Sequence, residues 1–386
     1  MPRSPRSVLL SLLVLIGGLV MPALRTSART AMAGESMPGE LVYFYAAHTD
    51  QPAARIPPPA DFLWQRANGV RAQTATITVN YSGFSPEAQT AFQFAVDIWT
   101  SKITSPVPIV VNANWTPLSP GVLGSAGANN FDVNFPGAPF SDTLYQIALA
   151  NKIAGTDLDP GGHDINANFN SAFPDWYFGI DGNTPFNQYD FVSVVLHELG
   201  HGLGFAGSMR VGSFCGSGNG CWGSGTVYPF IYDRFAVNGS SQLLISSFAN
   251  YSPELAAQLT SNNVFFNGPN AVKANGGSNA KLYAPSPWKQ GSSYSHLDEV
   301  FNNTPDALMT YSISNGEARH NPGSVMLCMF KDLGWTVTVS GASAASTSAM
   351  SAPGFAAFGP DNVTATVLTP TLYLPLIMNS YSTAPC

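Results

Sequence analysis

Five residues near the middle of the chain, His197-Glu198-Leu199-Gly200-His201, have the types and spacing that metal-assisted hydrolysis requires. On a helix, residues four apart share one face, so both imidazoles can reach a single metal ion. Glu198 projects about a quarter-turn away from His197, where it can reach a water molecule held by that metal. The segment therefore predicts a zinc site in which Glu198 is the general base.

Two histidines are too few ligands, because a catalytic zinc ion usually has three protein ligands and one open position. The other histidines of the chain are His48, His163, His296 and His320. In the compact pattern H-E-x-x-H-x-x-G-x-x-H, the third histidine would fall at a position that is Gly207 here. Either the motif has decayed, or an insertion separates the glycine from a distant histidine. A glutamate such as Glu254 or Glu299 is a further alternative for the third ligand.

Two separated segments together resemble the leishmanolysin-type metallopeptidases, which are metzincins. Gly204-Phe205 follows the second histidine at the position of the metzincin glycine. After an insertion of about 90 residues, Ser295-His296-Leu297-Asp298-Glu299 precedes Leu308-Met309. The resemblance covers approximately residues 190–335. It covers the N-terminal half only by the order of its elements, and it does not cover the tail.

The resemblance implies a role for each matching residue. The implied zinc ligands are His197, His201 and His296, with Glu198 as general base. Gly204 would end the helix and turn the chain back under the metal, and Met309 would form the apolar floor beneath it. Tyr311 lies two residues after Met309, where a tyrosine of some other metzincins binds zinc or supports an oxyanion. The fold implied is a metzincin-like α+β domain.

Cysteine usage departs from that family, whose members are rich in cysteine. The chain has only four, Cys215, Cys221, Cys328 and Cys386. None precedes the catalytic region, so a thiolate that keeps the zinc latent is excluded, and another group such as His48 or Asp50 would have to serve. Cys215 and Cys221 flank a short loop and are expected to pair, whereas pairing of Cys328 with Cys386 requires the tail to fold back. The sequence leaves the connectivity open.

The elements that position the site follow from periodicity and capping signals. The predicted strands are Ala75 to Tyr81, Val107 to Trp115 and Asp164 to Asn170, and the predicted helices are Pro86 to Lys102, Leu144 to Ile153, Tyr189 to Gly202, Pro253 to Leu259 and Pro322 to Leu333. They predict an α+β fold with a twisted mixed sheet, an active-site helix and a loop-rich C-terminal subdomain. By the resemblance, the strand from Asp164 to Asn170 could be an edge strand that pairs with substrate; an internal strand is the alternative.

The chain is expected to divide into four segments. Residues 1–33 have the positive start and apolar run of a signal peptide, ending at Ala31-Met32-Ala33. Residues 34–71 are Pro-rich and are expected to form a propeptide or N-terminal arm. Residues 72–339 would be the catalytic domain. Residues 340–386 begin with a Ser/Ala/Thr-rich linker and end in a C-terminal tail. No transmembrane segment is expected in the mature chain, which would be secreted or held at the cell surface.

Composition narrows the function further. The net charge is −7 and only 10% of residues are charged, so there is no basic stripe for nucleic acid. Asp157, Asp159 and Asp164 suggest calcium, although their spacing does not fit an EF-hand loop. The sequence predicts a secreted zinc metalloendopeptidase with one Zn²⁺ ion and protein or peptide substrates. The alternative is a catalytically inactive adhesin or binding module of the same fold.

Overall fold

The computed structural model describes residues 41–50, 53–70 and 74–339, together with Met1 and Cys386. Nearly all of the predicted signal peptide, the residues up to 40 and the segment 340–385 lie outside the described residues. Within the described part, no helix is both long and apolar enough to cross a bilayer.

A six-stranded mixed sheet forms the centre of the molecule. Its strands in chain order are β1 (Val42–Ala47), β2 (Ile77–Ser82), β3 (Ile109–Thr116), β4 (Val122–Ala128), β5 (Ile165–Asn170) and β6 (Ser312–Ser314). Across the sheet the order is β6-β1-β4-β5-β3-β2. The strand β4 runs antiparallel to both of its neighbours, β1 and β5, whereas the other neighbouring pairs are parallel. The predicted α+β class with a mixed sheet is confirmed.

Eight α-helices accompany the sheet in the described residues. They are α1 (Ala60–Ala67), α2 (Pro86–Lys102), α3 (Ile147–Ala154), α4 (Phe191–Gly202), α5 (Leu244–Ser247), α6 (Pro253–Leu259), α7 (Pro269–Ala274) and α8 (Ser324–Leu333). The helix α4 packs against β1, β4, β5 and α2. The indole N–H of Trp99 on α2 donates to the carbonyl oxygen of Leu196 on α4 at 3.0 Å, which ties the two helices together in the core.

Local capping explains why α2 begins where the sequence predicts. The Ser85 hydroxyl accepts a hydrogen bond from the Ala88 amide at 3.3 Å, and Pro86 occupies the first helical position, where its missing N–H costs nothing. The predicted span, Pro86 to Lys102, is confirmed. The prediction of a helix from Leu144 is wrong for its first turn. Leu144–Gln146 is a strand that pairs with Phe131–Val133, and α3 begins only at Ile147.

Of the two alternatives for Asp164 to Asn170, the edge strand is wrong and the internal strand is confirmed. This segment forms β5, which is hydrogen-bonded to β4 on one side and to β3 on the other. Both rows of its backbone groups are therefore used within the sheet, and no row is left for a substrate. The sequence indicated a strand with polar residues on one face, but alternation alone does not distinguish an internal strand from an edge.

Short ladders supplement the central sheet. The strands Ala236–Asn238, Val264–Phe266 and Ala280–Leu282 form a three-stranded antiparallel sheet. The two-stranded pairs join Arg55–Ile56 with Ala318–Arg319, Ile103–Thr104 with Thr336–Val337, Trp176–Tyr177 with Tyr189–Asp190, and Arg210–Val211 with Gly220–Cys221. The 3-10 turns span Ser213–Cys215, Tyr232–Phe235, Glu299–Phe301 and Ala307–Met309. The expected disulfide Cys215–Cys221 is present, and Cys328 pairs with Cys386, which settles the connectivity that the sequence left open.

Candidate metal centre

The helix α4 is fixed at its start by a buried aspartate. The side chain of Asp190 accepts hydrogen bonds from the Ser193 amide at 2.7 Å and from the Ser193 hydroxyl at 2.6 Å. Its carboxylate also lies 2.8 Å from Nε2 of His320, which is fully buried with it. A capping carboxylate satisfies an otherwise free helical N–H and interacts favourably with the positive end of the helix dipole. The orientation of the metal-binding face of α4 is therefore set from its first turn.

Three fully buried imidazoles converge on one point. The Nε2 atom of His201 lies 2.9 Å from Nε2 of His197 and 3.2 Å from Nε2 of His296, and the remaining Nε2 pair is 3.3 Å apart. Three nitrogens at about 2.0 Å from a tetrahedral zinc ion would be separated by about 3.3 Å. The histidine triad is thus spaced to hold a metal ion, and His296 is the third member that the resemblance implied.

The hydrogen bonds of the rings identify which nitrogen faces the metal position. Each Nδ1 lies close to a backbone carbonyl oxygen: Leu308 for His197 at 2.7 Å, Phe205 for His201 at 2.7 Å and Ser292 for His296 at 2.6 Å. A carbonyl only accepts, so each Nδ1 carries the proton and donates it. Burial lowers the pKa of His197 and His201 well below the usual value, and it lowers that of His296 to about 4.

Neutral rings with a proton on Nδ1 direct three Nε2 lone pairs at the same place. Lone pairs in such proximity repel one another unless a cation lies between them. The donor set, its spacing and its tautomers therefore fit a Zn²⁺ ion, for which neutral imidazole is a common ligand. Carbonyl oxygens in the second layer also orient the rings, as they do around zinc in many proteins.

Two turns supply carbonyls to this arrangement. Gly204 has φ +126°, a conformation that suits glycine, and it brings the Phe205 carbonyl back onto His201. The turn Ala307–Met309 presents the Leu308 carbonyl to His197. Met309 is fully buried, and its sulfur would lie 3.0 Å from a Cβ added at Gly200. Gly204 thus lies in a turn after α4, and Met309 packs against α4 at Gly200; the roles beneath a metal ion that the resemblance implied for them stay predictions.

Arg319 stabilises the turn Ala307–Met309 through hydrogen bonds. Its buried guanidinium donates to the Ala307 carbonyl at 3.0 Å and to the Thr310 hydroxyl at 2.9 Å, and it pairs with Glu317 at 2.7 Å. Arg319 could not be predicted from the sequence, because no motif places an arginine beside a turn that is ten residues away. The three backbone carbonyls that orient the histidines could not be predicted from the sequence either, since every residue type has a carbonyl.

Glu198 lies beside the triad on α4 with its carboxylate fully buried. Neither oxygen has a hydrogen-bond partner of standard geometry within the described residues. Burial raises the pKa of Glu198 well above its ordinary value, and the nearby Ala126 amide opposes that effect. On the neighbouring strand β4, a Cβ added at Gly124 would lie 2.9 Å from the Oε1 atom of Glu198. A buried carboxyl without a partner is costly in a fold, which is why such groups are often functional.

An N-terminal strand covers this group of side chains. The ring of Phe44 on β1 stacks on the ring of His197, with centroids 3.7 Å apart and an angle of 13° between the planes. Phe44 is fully buried. The expected latency residues lie elsewhere: His48 and Asp50 contact each other at 3.4 Å, with 71% and 89% of their side chains exposed. The sequence carried no signal for Phe44, because its contact with His197 spans about 150 positions.

The remaining candidates lie outside the triad. The ring of Tyr311 stacks on Tyr283 with centroids 4.3 Å apart, and the Lys289 ammonium lies 4.7 Å from its centre. Its predicted role with an oxyanion stays a prediction. Glu254 and Glu299 are exposed, and neither belongs to the metal-ligating group found among the described residues.

The aspartates considered for calcium are used in local structure. Asp164 accepts from the Val110 amide at 2.7 Å and from the Asn151 side chain at 3.0 Å. Asp157 accepts from the Asp159 amide at 3.0 Å. Among residues the structure describes, they form no further cluster of the kind that holds a metal ion.

Comparison with known proteins adds little to the site. A family model described as SPBPB7E8-like matches residues 148–215, which include α4 with His197 and His201 and end well before His296. The comparison with curated proteins gave no match. Because the family match covers well under half of the chain and its description names no activity, function has to be argued from the geometry of the site.

Proposed function

We propose that the chain is an exported zinc-dependent endopeptidase. The observation that carries the proposal is the convergence of His197, His201 and His296 on one point, with the buried carboxyl of Glu198 on α4 next to His197 in the chain. A zinc ion held there would supply Lewis-acid polarisation of a peptide carbonyl and would acidify a water molecule.

The residues of the chain would do the rest. The three imidazoles would hold the metal through Nε2, and their Nδ1 bonds to carbonyls keep the rings oriented. Glu198 takes a proton from the attacking water and delivers it to the amide nitrogen as the C–N bond breaks, which yields one carboxyl and one amine product. No covalent enzyme intermediate is needed. The two disulfides agree with folding in an oxidising, extracellular compartment.

A non-catalytic binding module is the second candidate, and one observation favours it. All three histidines and Glu198 are fully buried, and structural zinc sites are closed whereas catalytic sites keep an open position. Such a module would keep the metal and hydrolyse nothing. The two candidates therefore differ in the consequence of removing Glu198, which only an enzyme requires as a base.

The test combines metal content with casein cleavage in the purified full chain. Because Phe44 covers His197, each substitution is made in the parent chain and also in a Phe44→Ala background. We expect about one zinc ion per chain, and we expect Glu198→Gln to retain zinc while cleavage falls by at least ~10²-fold, as loss of a general base predicts. If the chains that keep Glu198, both the parent and Phe44→Ala, retain zinc and cleave no casein, the binding module is established instead.

The ligand assignment has its own matched control. We expect His296→Ala to lose zinc, because only two imidazoles remain at the site. His163→Ala removes a histidine that lies 2.7 Å from the Asn166 side chain and does not belong to the triad, so this variant should keep zinc. Full zinc occupancy in His296→Ala, with loss in Glu299→Ala, would reassign the third ligand to the glutamate.

A further inference from the structure

The strand β1 lies between the two segments that border the metal centre. On one side it pairs antiparallel with β4, whose Gly124 adjoins Glu198. On the other side it pairs parallel with β6, which follows directly after the turn containing Met309. Removing β1 from the sheet would leave an edge of β4 and an edge of β6 facing each other across a slot one strand wide. Because Phe44 of β1 stacks on His197, that slot would pass over one of the proposed zinc ligands.

The register places the middle of β1 at the reactive groups. Phe44 pairs with Gly124, so the residue of β1 that stacks on His197 is also the one opposite the glycine beside Glu198. Side chains alternate along a strand, so Val42 and Phe44 point to the same face, and both are buried. Tyr43 and Tyr45, which alternate with them along the strand, are only half-buried.

Backbone groups account for much of the binding of β1. The amide of Tyr43 donates to the Gly291 carbonyl at 2.9 Å, and that of Tyr45 donates to the Tyr311 carbonyl at 3.2 Å. Hydrogen bonds of this kind do not depend on side-chain type. An extended polypeptide of another sequence can form them in the same slot, which is how strands are added to open sheet edges in peptide recognition.

Little space remains at the metal centre while β1 is in place. A cavity of about 30 Å³ adjoins His201, and Leu41 and Val42 form part of its wall. This volume suits one or two water molecules and is too small for the chain of a substrate. Glu198 is fully buried, so neither a polypeptide nor the proton exchange of a hydrolytic cycle has access to it.

We propose that residues 42–47 are an intramolecular inhibitor that occupies, as a strand between β4 and β6, the slot in which an extended polypeptide substrate binds. The full chain is then a self-inhibited form, and Phe44 rather than His48 or Asp50 covers the metal ligands. The substrate class is an unfolded or extended protein segment. This proposal rests on the proposed endopeptidase function. It differs from latency by a metal-bound side chain, because a phenylalanine ring offers no ligand atom.

The test loosens β1 in the full, zinc-loaded chain by two independent substitutions. Phe44→Ala removes the ring that stacks on His197. Tyr45→Pro removes the amide that donates to the Tyr311 carbonyl and disfavours a strand in the middle of a sheet. Trp64→Ala is the matched control, because Trp64 is an aromatic residue of α1 with 61% of its surface exposed. Circular dichroism establishes that each variant is folded before it is assayed.

Two measurements distinguish a failure of the inhibitor proposal from a failure of the proposed endopeptidase function. The first is the rate at which 1,10-phenanthroline removes zinc, which requires no catalysis. The second is casein cleavage. We expect both β1 variants to lose zinc at least ~10-fold faster than the parent and to gain cleavage activity, while Trp64→Ala behaves as the parent does. If a variant fails to fold, hydrogen exchange of the backbone amides of residues 122–128 is measured in the parent instead. A docked β1 predicts slow exchange along β4.

The contrary outcomes are distinct. Unchanged zinc removal in both β1 variants, together with casein cleavage by the parent, would overturn the inhibitor proposal and leave the peptidase intact. Faster zinc removal without any cleavage would uphold β1 as the cover of the site but would overturn the endopeptidase function and the substrate slot with it. Fast amide exchange along β4 in the parent would show that β1 does not stay docked, and would also overturn the inhibitor proposal.

Discussion

Backbone carbonyls, not side chains, hold the three histidines in place. Leu308, Phe205 and Ser292 each accept the Nδ1 proton of one ring, and they come from a 3-10 turn, a glycine turn and a loop. The precision of the site thus depends on turns that are far apart in sequence. This explains why substitutions at Gly204 or Arg319 should affect metal binding although neither residue could be a ligand in this arrangement.

Asp164 provides a pH prediction that is independent of the metal. Burial raises its pKa from 3.8 to about 6, although the Val110 amide and the Asn151 side chain act in the opposite direction. The folded state therefore holds this proton more tightly than the unfolded state. Its stabilising contribution is complete below about pH 4 and is lost as the pH rises through about 6.

Asp164→Asn should remove that pH dependence. A shift of about two units corresponds to about 3 kcal/mol. Hence the unfolding free energy of the variant, relative to the parent, should rise by up to ~3 kcal/mol between pH 4 and pH 7.5. Urea denaturation at several pH values measures the difference, with Asp175→Asn as the control for loss of an exposed carboxylate. A difference between Asp164→Asn and the parent that stays constant with pH would contradict the prediction.

On the scale of secondary-structure elements, the contact of β4 with α4 sets the position of the proposed general base. Gly124 lies in β4 where a Cβ would be 2.9 Å from Oε1 and 3.0 Å from Cγ of Glu198. An alanine there forces the glutamate to move. We expect Gly124→Ala, in the Phe44→Ala background, to retain zinc while casein cleavage falls at least ~10-fold, since a misplacement of about 1 Å can cost ~10²-fold in rate.

Ser125→Ala is the matched control for that substitution. Ser125 is the next residue on β4, so its side chain points to the opposite face of the sheet. Its activity and zinc content should resemble those of the background chain. Equal cleavage rates in Gly124→Ala and Ser125→Ala would mean that Glu198 tolerates the displacement, and would weaken its assignment as a positioned base.

The elements that could be predicted from sequence are those with local causes. The span of α2 follows from Ser85, Pro86 and an apolar stripe, all within one stretch of chain. Leu144–Gln146 was missed because its strand conformation depends on pairing with Phe131–Val133, and residue spacing does not reveal a partner. The internal place of β5 and the docking of β1 depend in the same way on distant strands.

The residues of the site likewise fall into those with local sequence signals and those that depend on distant contacts. His197, Glu198 and His201 follow from helical spacing alone, whereas the selection of His296 depended on the resemblance and now agrees with the geometry of the triad. Phe44 and the three orienting carbonyls could not be predicted, because their roles arise only when separate parts of the chain meet. Spacing therefore identified the ligands on α4, and the fold supplied what surrounds them.

On the scale of the whole molecule, two disulfides close loops of very different length. Cys215 and Cys221 are separated by 6 positions, whereas Cys328 and Cys386 are separated by 58. Cys328 is buried in α8, so the second bond joins the last residue of the chain to a core helix. The ammonium of Lys331 on the same helix donates to the Cys386 carbonyl oxygen at 2.9 Å.

A disulfide stabilises mainly by limiting the unfolded chain, and more so for a longer loop. Loop entropy gives about 2 kcal/mol for the short ring and about 4 kcal/mol for the long one. We therefore expect the double variant Cys328→Ala/Cys386→Ala to lose roughly twice the unfolding free energy lost by Cys215→Ala/Cys221→Ala, as measured by urea denaturation. Because none of the four cysteines belongs to the metal-ligating group, zinc content should stay at the parental value in both variants. Equal losses would show that strain or packing around the cysteines, rather than loop length, determines the contribution of each bond.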